Sequence, residues 1–245
     1  RGIPLLTMEA IIDGIGDALW VMSAERLMPV MQRSFPKIGE DLEVIEHALR
    51  QGRLDPKTPL KASLASEKSL KKALISGIEV SSLTLAFALG QVAKPLIEKI
   101  SENMRALVEG LSWSKGYCPI CGTMPELAFL QGEGGQRWLR CASCSHEWRF
   151  TRLVCPFCEC NDQQELEVYF VADREYESID VCHRCGRYVP TVDQRSWSKP
   201  IAREVAAMAL MHLDVISQEK GFLPAALCAW NIIRSGDIFS TSVRV

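Results

Sequence analysis

Hydrophobic positions recur at helical spacing in the first half of the chain. The clearest stretch starts near Met8 and extends to about Met31, and one of its faces carries Ile11, Ile15, Leu19 and Met22. Pro29 and Pro36 are expected to bracket its end, because proline disrupts the interior of a helix. The pattern therefore predicts a first long amphipathic helix.

The same spacing predicts further helices up to about residue 112. Residues 41–51 form a second amphipathic stretch. Helical spacing resumes near Ser63 and weakens at Gly77, and Pro95 is expected to kink or divide the last stretch. Residues 1–112 are therefore predicted to form an all-α bundle.

Beyond residue 113 the hydrophobic pattern is typical of short strands. Runs of β-branched and aromatic residues between turn residues predict strands over residues 125–130, 137–141, 147–154, 165–171 and 176–182. Helical spacing returns after Pro200, and the predicted inward face of this last helix carries Ile201, Val205, Met208, His212 and Ile216. The pattern predicts a helical domain at 1–112, a strand-rich middle at 113–195, and a C-terminal helix and tail at 196–245 that packs on the rest.

Eight of the ten cysteines form four C-x-x-C pairs in the strand-rich middle: Cys118 and Cys121, Cys141 and Cys144, Cys155 and Cys158, and Cys182 and Cys185. Two such pairs supply the four thiolates of one tetrahedral metal site, so four pairs predict two metal ions. Each C-x-x-C pair and the turn around it is called a knuckle. In each half of the segment, one knuckle is followed by a predicted β-hairpin and then by a second knuckle. We therefore expect the first two pairs to hold one ion and the last two pairs the other, with an interleaved pairing as the alternative. On composition alone, both ions are interpreted as staples for a small region with little core.

The two remaining cysteines are interpreted as residues that do not bind metal. Cys160 lies two residues beyond Cys158 and is either a bystander or a reactive thiol, whereas Cys228 stands in an apolar stretch typical of a buried residue. Metal-bound thiolates rather than disulfides are expected, because the paired cysteines are confined to one segment and no secretory signal is visible. These features predict a reducing, cytoplasmic environment.

Charge and composition narrow the range of partners. The net charge is −2, so no overall positive field attracts nucleic acid. The middle strands carry a local cluster of arginine and aromatic residues, interpreted as a solvated sheet face in preference to a nucleic-acid site: Arg137, Arg140, Arg149, Arg152, Trp138, Trp148 and Phe150. The longest apolar-biased run, at residues 83–93, is about half the length of a membrane span, so no membrane insertion is expected.

The segment GYCPICGTMPELA, followed by RWLRCASCSHEWRFTRLVCPFC and VCHRCGRY, resembles the FdhE family of bacterial formate dehydrogenase accessory proteins. The resemblance implies an α+β fold with an N-terminal helical bundle, two tandem rubredoxin-like or zinc-ribbon-like metal modules and a C-terminal helix. It also implies that the eight paired cysteines hold two metal ions, with iron favoured over zinc. Ser145 and Glu159 follow their knuckles where Gly122 and Gly186 follow the others. Whether the two sites are alike in metal or redox behaviour is therefore left open.

The resemblance further implies a function. The chain would be a cytoplasmic assembly or maturation factor and not an enzyme, and it would bind the immature catalytic subunit of a molybdenum- or tungsten-dependent formate dehydrogenase before its export or assembly. A homodimer is compatible with this function, and nucleic acid is not an expected partner. Two alternatives are a rubredoxin-like redox-sensing or electron-transfer protein and, less favoured, a nucleic-acid-binding zinc-ribbon protein.

Overall fold

The computed structural model describes residues 2–65, 79–195, 202–228, 230 and 231. The chain divides into two compact units. The described part of one unit lies between Met8 and Ile100, and that of the other comprises the N-terminal residues up to Thr7 and the described residues from Ser101 to residue 231. The domain limits expected at residues 112 and 195 stay a prediction. Residues 196–201, Gly77 and the tail beyond residue 231 lie outside the described part of the chain.

Helices build the first unit, as the hydrophobic spacing predicted. They are α1 (Met8–Gly14), α2 (Asp17–Ser34), a short 3-10 helix (Pro36–Ile38), α3 (Gly39–Arg50), α4 (Lys57–Ala65) and α5 (Ser82–Val108), the last turns of which belong to the second unit. The apolar stripes meet in an aliphatic core that includes Ile12, Met28, Leu42, Ile45 and Leu89. No helix in the described ranges has the length and apolar character that a membrane span requires.

Two prolines lie inside helices where breaks were expected. α2 continues past Pro29 to Ser34, and α5 passes through Pro95 without a division. Each proline removes one hydrogen bond to the carbonyl four residues earlier. Met28 beside Pro29 and Ala93 near Pro95 are fully or almost fully buried, so packing outweighs the lost bond. The first predicted helix breaks instead before Gly16, whose extended backbone starts α2.

A seven-stranded sheet forms the centre of the second unit. Its strands are β1 (Pro125–Gln131), β2 (Gln136–Cys141), β3 (Glu147–Phe150), β4 (Leu166–Val171), β5 (Arg174–Cys182), β6 (Arg187–Asp193) and β7 (Leu223–Pro224). The order across the sheet is β3-β2-β1-β6-β5-β4, with β7 beside β6. Neighbouring strands are antiparallel except that β6 runs parallel to both β1 and β7. The two predicted ribbons are therefore halves of one sheet.

Two C-terminal helices, α6 (Arg203–Ala209) and α7 (Met211–Glu219), cover one face of this sheet. The inward residues of this helical segment pack in one core with Phe129 and Tyr188. These inward residues are Ala206, Ala207, Leu210 and Leu213. The predicted inward face of this helix was wrong, because Val205 and Met208 are half exposed. The helix is interrupted at Leu210, which shifts the buried face by part of a turn and brings polar residues inward. The mixed α+β architecture predicted from the sequence is confirmed.

Candidate metal centres

The first four-cysteine group lies between the ends of β1 and β2. The sulfur of Cys121 is 3.4 Å from that of Cys141 and 3.5 Å from that of Cys144, and the Cys118 and Cys144 sulfurs are 3.6 Å apart. Four sulfurs held tetrahedrally at about 2.3 Å from one ion would be about 3.8 Å apart. These separations are much longer than the roughly 2.05 Å of a disulfide bond. All four side chains are buried, so the donor set and its spacing fit one metal ion.

The second group has the same construction between β5 and β6. The sulfurs of Cys155 and Cys185 are 3.7 Å apart, as are those of Cys158 and Cys182. All four sulfurs lie within 4.8 Å of one another. Unlike the first group, this one has two partly exposed members, Cys158 and Cys185. The chain thus brings together two four-cysteine groups that could bind two metal ions, with each group drawn from consecutive pairs.

All four knuckles share one backbone conformation. In each, the residue after the second cysteine has a positive φ: 76° at Gly122, 56° at Ser145, 58° at Glu159 and 68° at Gly186. The N–H of that residue donates to the carbonyl of the first cysteine, at 3.0 Å in Gly122 and 2.8 Å in Gly186. Ser145 and Glu159 make the same bond, at 3.2 and 3.0 Å. The departure from glycine in two knuckles therefore leaves the backbone turn of the knuckle in place.

The thiols of each group cannot all carry a charge without a cation. In the first group, burial raises the pKa of Cys118 and Cys141, while hydrogen bonds from neighbouring thiols lower the pKa of Cys121 and Cys144. In the second, a hydrogen bond from Cys185 lowers the pKa of Cys155 to about 5, and burial raises the pKa of Cys182 to about 12. Because a divalent ion deprotonates coordinating thiols, metal binding would remove this conflict.

Both groups lie at the same end of the sheet. β2 ends at Cys141 and β5 ends at Cys182, while β1 and β6 start shortly after Cys121 and Cys185. β1 and β6 pair in parallel, with Ala128 opposite Thr191, so their starting ends point the same way. The two sites are therefore joined by a hydrogen-bonded ladder rather than by a flexible linker.

A close backbone contact also joins the two modules. Gly116, just before the first knuckle, lies so near the third knuckle that a Cβ there would come within 1.8 Å of the Pro156 carbonyl oxygen. Beside it, the Lys115 ammonium is 2.7 Å from the Glu159 carboxylate. The Trp148 indole N–H donates to the Lys115 carbonyl at 3.1 Å. Glycine is therefore required at position 116 to bring the segments of both sites together.

Residues outside the two groups take other roles. Cys160 is buried beside Cys155 and Cys182, and its carbonyl accepts the Cys155 N–H at 2.8 Å, but its thiol belongs to neither group. Cys228 is buried, as expected, with its sulfur 4.0 Å from a Glu126 carboxylate oxygen. His212 is not a core residue, since it is partly exposed and lies 3.3 Å from Glu177.

The arginine and aromatic cluster is largely internal. Arg137 is buried and its guanidinium is 2.8 Å from the Asp180 carboxylate, and Arg140 is buried between Glu126 at 3.4 Å and Glu147 at 3.1 Å. Sequence patterns do not reveal these buried pairs, because Arg137 and Asp180 lie far apart in the chain.

A buried polar cluster beneath the C-terminal helices was missed by sequence reasoning. Asp214 is fully buried and accepts a hydrogen bond from the Tyr188 hydroxyl at 2.8 Å, and the Gln218 amide donates to the same hydroxyl at 3.0 Å. Burial raises the pKa of Asp214 to about 6. The one available signal was the run of polar residues that interrupts the apolar face of the last helix.

The segment that contains the first site resembles known proteins. A model of the FdhE central domain matches residues 117–152, which include all four cysteines of the first group. An FdhE homolog from Aquifex aeolicus is 27% identical over 147 residues, which are 59% of this chain and 51% of that protein. An FdhE homolog from Citrobacter koseri is 32% identical over 117 residues, or 45% of this chain and 36% of that protein. The chain thus spans between a third and a half of the relatives it matches.

A solved structure extends the likeness to almost the whole chain. The crystal structure of the FdhE protein from Pseudomonas aeruginosa matches with a TM-score of 0.69 and 19% identity, covering 96% of this chain and 76% of that one. At this identity the match establishes the fold. Fold and sites together define an α+β protein with tandem four-cysteine ribbons. The predicted resemblance to the FdhE family is confirmed: the family's central-domain model matches the first site, and the fold matches that of an FdhE protein.

Proposed function

We propose that this protein is a cytoplasmic assembly factor for a molybdenum- or tungsten-dependent formate dehydrogenase. It binds the immature catalytic subunit before that subunit is exported or assembled. Similarity to FdhE proteins supports a role as a formate dehydrogenase accessory protein. The observation that carries the finer proposal is that both metal groups are complete within this chain, with four thiol ligands each.

A complete set of four protein ligands favours binding over catalysis. Catalytic metal sites keep one position open for water or substrate, whereas structural sites are filled by four protein ligands. Among the described residues, these two groups are the only clusters of metal-binding side chains. The ions would hold the knuckles and the sheet in place, and the surrounding surface would recognise the partner.

The charge distribution supports a protein partner in preference to nucleic acid. Arg137 and Arg140 are held in internal ion pairs with Asp180, Glu126 and Glu147. A guanidinium that is buried against a carboxylate is not available to neutralise a phosphate. Only Arg149 and Arg152 of the original cluster are exposed.

The proposal is tested by capturing the catalytic subunit. Tagged protein is purified from cells that produce a formate dehydrogenase but cannot synthesise its cofactor. The eluate is then probed for the catalytic subunit. We expect the immature subunit in the eluate and little of the mature enzyme. A double Cys118→Ser, Cys121→Ser variant should lose the subunit, while Cys228→Ser, which changes a cysteine outside both groups, should retain it. Absence of the subunit from the wild-type eluate would overturn the proposal.

One observation favours a second function. Cys158 and Cys185 of the second group are partly exposed, whereas the first group is buried throughout. Exposure would let an electron donor approach an iron held there, as the redox-sensing alternative requires. An anaerobic preparation with iron that changes colour reversibly with a cellular reductant would support this function. A preparation with two zinc ions would exclude it.

A further inference from the structure

Strand β4 is an open edge of the sheet. Among the described residues it pairs only with β5, and it is the last strand in the sheet order. Along its outer side, alternate residues present backbone N–H and C=O groups without a neighbouring strand. Sheet edges of this kind are usually protected by lysine, proline or a covering segment. β4 reads LEVYFV, with neither lysine nor proline.

The two faces of β4 differ in their cover. Tyr169 and Val171 pack against the core beneath α6 and α7. On the opposite face, Val168 is 53% exposed and Phe170 is 58% exposed. Both residues line a cavity of about 290 Å³ together with Leu153, which is 56% exposed. A groove with these apolar residues on its wall, and with charged residues of both signs elsewhere in its lining, therefore runs beside the open edge.

The hairpin that carries this edge is strongly acidic. Residues 162–180 contain one basic residue, Arg174, and seven acidic ones: Asp162, Glu165, Glu167, Asp173, Glu175, Glu177 and Asp180. Two of the acids are paired with arginine, Glu177 with Arg174 and Asp180 with Arg137, and a third, Glu167, is hydrogen-bonded to His183. The other four form no ion pair with a described residue. The edge thus combines apolar side chains with uncompensated negative charge.

Charge decides between the partners that an open edge can accept. Pairing β4 with β4 of a second copy would bring two acidic hairpins together, and like charges on neighbouring strands are destabilising. A positively charged segment would instead be attracted to the edge. We propose that β4 binds an extended, basic peptide segment of a partner protein as an added strand, with the apolar side chains of that segment on Val168, Phe170 and Leu153. That the segment belongs to the formate dehydrogenase catalytic subunit rests on the proposed function.

A designed peptide tests strand addition directly. The probe is a labelled, end-capped peptide in which arginine alternates with valine, so that an extended conformation places valine on one face. Its binding is measured by fluorescence anisotropy. A matched peptide with proline in place of each valine keeps the charge but cannot form the ladder, because proline lacks the N–H. We expect the proline peptide to bind at least about tenfold more weakly.

Protein variants locate the binding surface. Val168→Lys with Phe170→Lys places two cations on exposed positions of the edge and should weaken binding by about tenfold or more. The control is Leu107→Lys with Leu111→Lys, which changes two comparably exposed leucines of the same unit and should leave the affinity within about twofold. Equal binding of both peptides, or equal binding by both variants, would overturn the proposal. So would sedimentation that shows copies of the chain associated through this edge, with dissociation in the β4 variant.

The source of the segment is tested separately from the edge. The β4 variant and its control are used in the capture experiment described above. Loss of the catalytic subunit in the β4 variant alone supports this assignment. Equal capture by both variants overturns the assignment and leaves the proposed function standing. Peptide binding without capture of the subunit by wild-type protein leaves the edge inference standing and overturns the proposed function.

Discussion

Substitution of Gly186 measures the free energy that the left-handed backbone of a knuckle costs a residue with a Cβ. Its φ is 68°, and a Cβ added there meets no other atom within 4 Å. Gly186→Ala therefore introduces no clash, and its effect comes from conformation alone. A left-handed backbone costs an L-residue roughly 1–2 kcal/mol, and the reduced freedom of the unfolded chain offsets about 0.4–1 kcal/mol. We expect the free energy of unfolding to fall by about 1 kcal/mol.

The reverse substitutions should have the opposite effect. Ser145 and Glu159 already adopt left-handed backbone, at φ values of 56° and 58°. Ser145→Gly and Glu159→Gly are each expected to raise the free energy of unfolding by about 1 kcal/mol. The ion pair between Glu159 and Lys115 is exposed, so its loss should reduce this gain only slightly.

The assay is urea unfolding of the metal-loaded protein at fixed free metal concentration, followed by tryptophan fluorescence. Metal must be controlled because its binding free energy contributes to folding. Gly134→Ala is the control, since Gly134 lies in a turn of the same unit, outside the left-handed region, with its nearest contact at 3.4 Å. We expect little change there. A neutral Gly186→Ala together with a neutral Ser145→Gly would refute the idea that these positions differ only in backbone strain.

Three further predictions concern the module contact, the buried acid and the metal. Gly116→Ala should lower the free energy of unfolding by about 3 kcal/mol or more and reduce metal retention by the second group in a chelator titration, because the new methyl group overlaps the Pro156 carbonyl. Asp214 has a pKa of about 6 instead of 3.8, so the folded state binds the extra proton and the free energy of unfolding should fall as pH rises from about 4 to 6, by up to about 3 kcal/mol. Asp214→Asn should remove this part of the pH dependence. Equal slopes of unfolding free energy against pH in the wild-type protein and in the variant would contradict this assignment. Cys118→Ser should lower the metal content measured by mass spectrometry from two ions to one, whereas Cys228→Ser should leave two ions bound.

Local motifs predicted the two four-cysteine groups because a C-x-x-C motif carries its information locally. A C-x-x-C pair places two thiols near one point regardless of the rest of the fold, and the repeat in the sequence indicated which pairs belong together. The structure brings Cys118 to Cys144 and Cys155 to Cys185 as that repeat predicted. Metal identity depends on the redox environment and metal supply, so it stays a prediction.

Strand β6 is not among the strands predicted from the sequence, and it contains Pro190. Proline in a strand usually indicates an edge, yet β6 lies between β1 and β5. Along the other side of β6, β7 pairs with Arg187 and Tyr188, and β1 pairs from Thr191 onward. Pro190 falls in the gap between these two ladders. The sheet therefore accepts Pro190 because β7 and β1 pair with β6 on either side of it. The sequence around Pro190 does not indicate where those two strands pair.

The joint between β1 and β6 has a consequence for solubility. Each half of the sheet contributes three strands in the same order, β3-β2-β1 and β6-β5-β4, so the halves meet head to tail. The two outer edges of the sheet are β3 and β4. In the repeat, β3 corresponds to β6 and β4 corresponds to β1, so these edges are of the same two kinds that pair at the joint between β1 and β6. A head-to-tail contact repeated between molecules does not close on itself and produces open-ended filaments. A partner segment paired with β4 would remove one of the two edges that such growth requires, so strand addition at β4 would also keep copies of the chain from joining end to end.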